Sequence, residues 1–366
     1  MSSRDPQYIT PDIKCKLRRK NRLMRAGRQE EANAIASQIS KKISRRDAVY
    51  LKKCDHATRS KDLWKAVQHY GKGVSARNAP IEIPPDELNK HYAHISTDRN
   101  YKSPELKQSA DPINLEVFTE EDIFKILDHL KFTATGLDGI PAWLLRLGAP
   151  VFSAPIARLF NLSLSMSTVP HQWKQALICP IPKVKQAKVP SEFRPISITS
   201  VLSRTMEKLF VREFIYPSMN DPTLATMFAD QFAFRPTGST TAALIALLDK
   251  ITELLTMNEY VSVFVLDFSK AFDSVHHSKL LNKAAILPIP DQAFNWLVQY
   301  FKDHSHCTRT GNGVSQFEAI NSSVIQGSGI GPGAYDINAS DLQTVVETNC
   351  LFKFADDTTL VIPAKK

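Results

Sequence analysis

Apolar positions along the 366-residue chain change their period several times, and each change marks an element. Thr10-Pro11 offers a helix N-cap followed by proline at the first helical position. From there to about His69 the pattern is helical, with no further proline and with Ile35, Ile39 and Ile43 four apart on one face. It predicts one long helix or two. Gly71-Lys72-Gly73 interrupts this run, Pro80, Pro84 and Pro85 follow, and residues 71–112 read as a connector with one short helix near Asp86–Ser96.

Thr119, with Asp122 three residues on, has the form of a capping box before the amphipathic stretch Ile123–Leu130. Helical patterns follow over Ala142–Ser167, Val201–Tyr216, Thr240–Met257 and Asp291–Lys302. Gln175–Ile181, ended by Pro180 and Pro182, suits a strand. Val261–Phe268 is short, apolar and β-branched, and is read as a buried strand. Leu351–Phe354 and Thr358–Ile362 are strand-like runs joined by Ala355-Asp356-Asp357, which fits a tight hairpin. Helices outnumber strands and do not alternate with them regularly, so the fold class is α+β and not a doubly wound parallel sheet.

Charge adds an asymmetry that periodicity does not show. Residues 1–75 hold 19 Lys/Arg against 7 Asp/Glu, leaving 27 against 30 for the rest of a chain whose net charge is +9. Arg18, Arg19, Lys20, Arg22, Arg25 and Arg28 crowd the first predicted helix, and such a field suits a polyanion, either nucleic acid or an anionic surface. No apolar run is long enough to span a bilayer, and the first residues lack an apolar signal core. The expectation is a soluble intracellular protein, nuclear or cytoplasmic. Five scattered cysteines with no C-x-x-C pair argue for reduced thiols. His304, His306 and Cys307 have no second cluster at ligand spacing, so a solvated loop is expected there. Capping or packing accounts for His276 and His277, and Gly327–Gly333 lacks the Gly-Lys-Ser/Thr of a P-loop.

The chemistry lies with the carboxylates. Adjacent Asp356 and Asp357 at a hairpin tip repel one another unless a cation intervenes. Asp267 ends the apolar run VSVFVLD, where an acid is costly without a partner. If that strand lies beside the hairpin, Asp267, Asp356 and Asp357 converge as hard oxygen ligands for Mg²⁺, with Mn²⁺ also suited. Two such ions activate an attacking hydroxyl and stabilise the leaving group of an in-line displacement. Asp273, with Ser274, is read as the cap of a helix Val275–Ala284.

With these segments in order, the chain resembles the reverse transcriptase domain of LINE-type, non-LTR retrotransposons. LDFSKAFDSVHHSKLL, Gln326-Gly327-Ser328 with Gly331-Pro332, and FADDT carry the resemblance. GLDGIP, WKQALICPIPK, FRPISITSVLSRTMEKL and QFAFRPTGSTTAAL precede them in the family's order, so that the likeness covers roughly Phe118–Ile362. It implies right-hand fingers and palm, and RNA-directed DNA polymerase activity with an RNA template, a DNA primer, dNTPs and two Mg²⁺ ions. It further implies that Asp267, Asp356 and Asp357 hold the metals. Phe272 would gate the sugar of the incoming nucleotide, Gln326 and Gly327 would lie along that nucleotide, and Lys183 and Arg194 would grip its triphosphate. Gln231, Phe234 and Arg235 would face the template.

Two positions depart from the family text: Ile325 stands where proline is common, and Gly333 loosens a helix start. The resemblance divides the chain into a basic helical region (1–75), a connector (76–117) and a fingers-and-palm region (118–366) expected to stop short of the thumb. A truncated or domesticated nucleic-acid-binding remnant without polymerase activity is the alternative.

Overall fold

The computed structural model describes residues 10–55, 81–108, 117–184 and 186–364. The chain divides into two compact units, Met1–Ala79 and Pro80–Lys366.

In the first unit, helices α1 (Pro11–Arg25) and α2 (Gln29–Asp55) pack against each other. Thr10 caps α1 through its Oγ1, which accepts the Ile13 N–H at 3.3 Å. Gly27, at φ +73°, turns the chain between the helices, so the predicted helical run is two helices. Ile13, Ala32 and Ile39 are buried in this hairpin, while Arg18, Arg19, Arg22, Arg25 and Arg28 are exposed. A 2.5 Å ion pair between Lys42 and Asp12 ties the helices, but both side chains are about half exposed and its net contribution is small, ~0–1 kcal/mol. Residues 56–80, with the end of the predicted helix and its Gly-Lys-Gly break, lie outside the described residues.

The second unit is built from helices α3 (Pro85–Ile95), α4 (Glu120–Asp128), α5 (Ala142–Leu147), α6 (Ala149–Ser165), α7 (Val201–Phe210), α8 (Tyr216–Met219), α9 (Ala225–Phe228), α10 (Thr240–Met257), α11 (His277–Ala284), α12 (Asp291–Phe301) and α13 (Gly331–Asn338). Its strands are β1 (Gln175–Pro182), β2 (Phe193–Ile198), β3 (Tyr260–Leu266), β4 (His304–Thr310), β5 (Gly313–Val314), β6 (Glu318–Ile320), β7 (Cys350–Phe354) and β8 (Asp357–Ala364). The predicted capping box is present: Thr119 Oγ1 accepts the Asp122 N–H at 3.1 Å, and the Asp122 carboxylate accepts the Thr119 N–H.

The larger sheet runs β2-β1-β4-β5, with β6 on β4; β1 pairs antiparallel with β2 and parallel with β4. The smaller sheet runs β3-β8-β7, all antiparallel. Between the sheets' elements a helical core collects the large apolar side chains. Trp296 stacks on Phe210 (centroids 4.7 Å apart) and on Tyr300, and its indole N–H is satisfied by Ser163 Oγ at 2.9 Å. After α7 the chain widens into a π turn, Val211–Ile215, against which α13 lies. A side chain at Gly333 would come within 3.2 Å of Ile215 Cγ2, so the residue that weakens α13 also lets it approach this turn.

Two expectations are corrected here. His304, His306 and Cys307 are in strand β4 and buried, not in a solvated loop. His306 Nδ1 bonds Asn89 Oδ1 at 2.7 Å and His304 Nε2 faces the Tyr300 carbonyl, so neighbours replace water around them. Likewise β3 is an edge strand and not a buried one: Val265 is 77% exposed and Phe264 is 51% exposed. Among the described residues no helix is long and apolar enough to cross a membrane, and Cys15, Cys179, Cys307 and Cys350 are free thiols.

Candidate active site

The β7–β8 hairpin is tight. Phe354 pairs with Asp357, which leaves Ala355 and Asp356 as the loop, and Ala355 takes a φ of +57°. Beside it, β8 pairs with β3 up to Leu266↔Thr358. The ladder ends there; continued by one step, it would set Asp267 opposite Asp357. Directly opposed residues in an antiparallel pair share a face, with Cα atoms about 4.5–5.5 Å apart. Asp267 and Asp357 are exposed and Asp356 is half-buried. None of the three forms an ion pair with a Lys, Arg or His among the described residues. Nor do any three His, Cys, Asp or Glu among the described residues stand close enough to make a ready-formed metal cage. The paired strands bring the end of β3 beside the hairpin, while among the described residues no set of three ligands is assembled there.

The Gln326–Gly327 loop docks on β2. The Gln326 carbonyl accepts the Ser197 N–H at 3.0 Å, and Gly327 sits at φ +117°, where a Cβ would lie 2.5 Å from the Ser197 oxygen. Only glycine fits that position. Gln326 Nε2 donates to Asp273 Oδ1 at 2.7 Å. Burial raises the Asp273 carboxyl pKa, while the Gln326 hydrogen bond and the charges of Lys183 and Lys270 oppose the rise.

Asp273 is thus not a helix cap. α11 begins at His277 and His276 at its N-cap makes no side-chain cap, while Ser274 Oγ turns back to the Lys270 carbonyl at 3.0 Å. Asp273 also lines a crevice with His91, Tyr92, Lys183, Ser191 and Lys270. An adjoining crevice shares Tyr92 and Asp273 and reaches Gln326. One signal was legible beforehand: a carboxylate directly behind an apolar Ala-Phe pair suits a buried acid as well as a cap.

Behind the Gln326–Gly327 loop lies Glu207, wholly buried, whose carboxylate accepts from Ser203 Oγ at 2.6 Å and from the backbone N–H groups of Gly329 and Ile330. Its pKa is raised by burial against these three donors. Sequence reasoning missed it, since an acid in an amphipathic helix ordinarily faces solvent.

The remaining predicted residues fall in three places. Phe272 is half-buried and stacks on Tyr335 (4.3 Å, 20°), with Phe234 edge-on at 6.4 Å. Tyr335 reaches the acidic tip electrostatically: burial first, then Asp356 and Asp336, pushes its pKa up to about 12. Lys183 and Arg194 are exposed at the loop end of the β1–β2 hairpin, where Arg194 pairs in register with Ile181 and Lys183 Nζ donates to the Ser191 carbonyl at 3.0 Å. Gln231 is buried, and Arg235 donates to the Phe228 carbonyl at 2.6 Å.

Carboxylates without an ion-pair partner among the described residues, in one unit with exposed basic side chains that form no ion pair there, suit a class of enzyme that brings a divalent metal and a phosphorylated substrate together. The family profile described as reverse transcriptase (RNA-dependent DNA polymerase) matches residues 181–366, and the chain belongs to that family. Among curated proteins, a probable RNA-directed DNA polymerase from transposon BS of Drosophila melanogaster is 27% identical over 304 residues, covering 76% of this chain and 33% of that protein. The RNA-directed DNA polymerase from the mobile element jockey of the same fly is 30% identical over 220 residues, covering 57% of this chain and 23% of that protein. The chain thus spans about a third or less of the length of these relatives. Among solved structures, Candida tropicalis telomerase in complex with a fragment of telomeric RNA aligns at a TM-score of 0.38 and 13% identity, covering 59% of this chain and 40% of that one.

Proposed function

We propose that this chain forms the fingers and palm of an RNA-directed DNA polymerase of a non-LTR retrotransposon, adding dNTPs to a primer 3′-hydroxyl on an RNA template. The observation that carries this reading is the β3–β8 register, paired up to Leu266↔Thr358, whose continuation by one step would set Asp267 opposite Asp357, next to Asp356 in the hairpin loop. Three carboxylates with no cation of their own among the described residues fit Mg²⁺ or Mn²⁺, and these side chains would hold it. When bound, two such ions lower the pKa of an attacking hydroxyl and neutralise a leaving pyrophosphate.

The chain's own groups account for the remaining tasks. Lys183 and Arg194, at the loop end of the β1–β2 hairpin, hold a triphosphate as a point charge and a fork. The Gln326–Gly327 loop, fixed to Ser197, offers close backbone approach to a nucleotide. Phe272, fixed by Tyr335, presents a flat face that leaves no room for a 2′-hydroxyl. The exposed arginines of α1 supply sequence-independent affinity for template or primer, which should weaken steeply with salt. The three-part division at residues 75 and 117 belongs to the same proposal.

The test is primer extension by the purified chain on primed poly(rA) with dTTP and Mg²⁺. Extension by the wild-type chain and its loss in Asp356→Asn are expected. Equal extension by both removes the assignment, and no extension by either favours a nucleic-acid-binding protein without polymerase activity.

A further inference from the structure

The acidic turn is held from outside its own hairpin. Ala355 adopts φ +57°, a conformation that costs a non-glycine residue about 1–2 kcal/mol. A two-residue loop with such a residue needs a restraint to favour one geometry. The restraint is the segment Asp230–Phe232, which lies along the free edge of β7. Lys353 N–H donates to the Asp230 carbonyl at 2.7 Å, Phe232 N–H donates to the Lys353 carbonyl at 2.8 Å, and Gln231 bridges Lys353 in parallel. The Phe232 and Phe352 rings stack at 6.2 Å, and the Asp230 carboxylate pairs with Lys353 Nζ at 2.9 Å.

Gln231 reaches from this edge to the turn itself. Its Oε1 accepts the Ala355 N–H at 3.1 Å and the Ala233 N–H at 3.0 Å. Two backbone donors on one atom identify that atom as the oxygen, so the amide orientation is fixed by its partners. The side chain is 3% exposed and offers no face to a template strand.

We infer that Gln231 is a positioning residue for Asp356. By holding the Ala355 N–H it fixes the direction in which the next residue leaves the turn, and hence the placement of the Asp356 carboxylate against Asp267. The inference rests on the polymerase reading for its consequence and on the hydrogen bond for its existence, and the experiment separates the two.

Gln231→Met keeps the length and removes the acceptor; Gln231→Asn withdraws it by one methylene and serves if the Met variant loses the β3–β8 ladder. Gln231→Glu keeps a carbonyl-type oxygen at the same reach. Amide hydrogen exchange at Ala355 should accelerate at least tenfold in the Met or Asn variant while Val263 and Leu360 keep their protection. In primer extension kcat should fall at least tenfold, KM for dTTP should stay within twofold, and the Glu variant should recover most of the loss. Unchanged exchange at Ala355, or an unchanged kcat, overturns the inference, as does a rise in KM alone, which marks direct substrate contact. An inactive wild-type chain overturns the polymerase reading instead, and the exchange result then decides the clamp by itself.

Discussion

Removing the Asp230 carboxylate should destabilise the second unit far more than a surface mutation does. Lys353 is 1% exposed, and its ammonium is held by Asp230 Oδ1 at 2.9 Å and by the carbonyls of Ala339 and Leu342 at 3.0 and 3.1 Å. Burial raises the Asp230 pKa, and the Lys353 bond and charge oppose the rise, so each ion depends on the other. In Asp230→Ala the ammonium keeps two neutral acceptors and no counter-charge. Breaking one side of such a pair costs about 3–5 kcal/mol, because the remaining charge stays desolvated. Lys353→Met should cost a similar amount by stranding the carboxylate. The double variant should cost less than the two single losses together, with a coupling of at least about 2 kcal/mol. Urea unfolding followed by tryptophan fluorescence measures all four corners, since Trp173 and Trp296 are buried in this unit's core. A coupling below about 0.5 kcal/mol would show the pair to be screened as at a surface, and the reasoning would fail.

Three further outcomes follow, two from buried titratable groups and one from a glycine at positive φ. His277, His304 and His306 are held neutral by burial, with pKa values lowered to about 4, 3 and 4. The unfolded chain binds these protons first, so stability should fall as pH drops below about 6.5 toward 4, by up to ~1.4 kcal/mol per pH unit for each histidine; pH-dependent urea midpoints check this. Asp336 acts in the opposite sense. Burial pushes it up to about 8 despite Arg235 and Lys353, so its contribution is present at low pH and is lost between about pH 4 and 8. Asp336→Asn should therefore flatten the decline in stability between pH 6.5 and 8 while changing little at pH 4. Gly327→Ala should lower the thermal midpoint by forcing φ +117° on a β-carbon 2.5 Å from the Ser197 oxygen, a cost of about 1–3 kcal/mol; an unchanged midpoint would mean that the loop moves freely.

Much of this architecture is legible in local chemistry. Thr10-Pro11 and the Thr119–Asp122 box act within one turn, so their helices begin where the residues say. The short β-branched runs of β3 and β8 likewise become strands, paired from Tyr260↔Ala364 to Leu266↔Thr358. What stayed hidden depends on residues far apart in the chain. His306 reads as a loop residue until Asn89, 217 positions away, supplies its partner. Asp273 reads as a cap until Gln326 donates to it. Glu207 looks like a solvent-facing helix residue until the backbone of Gly329 and Ile330 closes over it. The burial of β3 could not be read from its composition, because an apolar run does not say whether its sheet places it centrally or at an edge.

Locating a bound ion tests the central claim most directly. Crystals of the chain soaked in Mn²⁺ should give an anomalous difference peak bounded by the carboxylates of Asp267, Asp356 and Asp357, absent from crystals of Asp356→Asn. A fully occupied peak elsewhere in the second unit, with these three side chains bare, would contradict it.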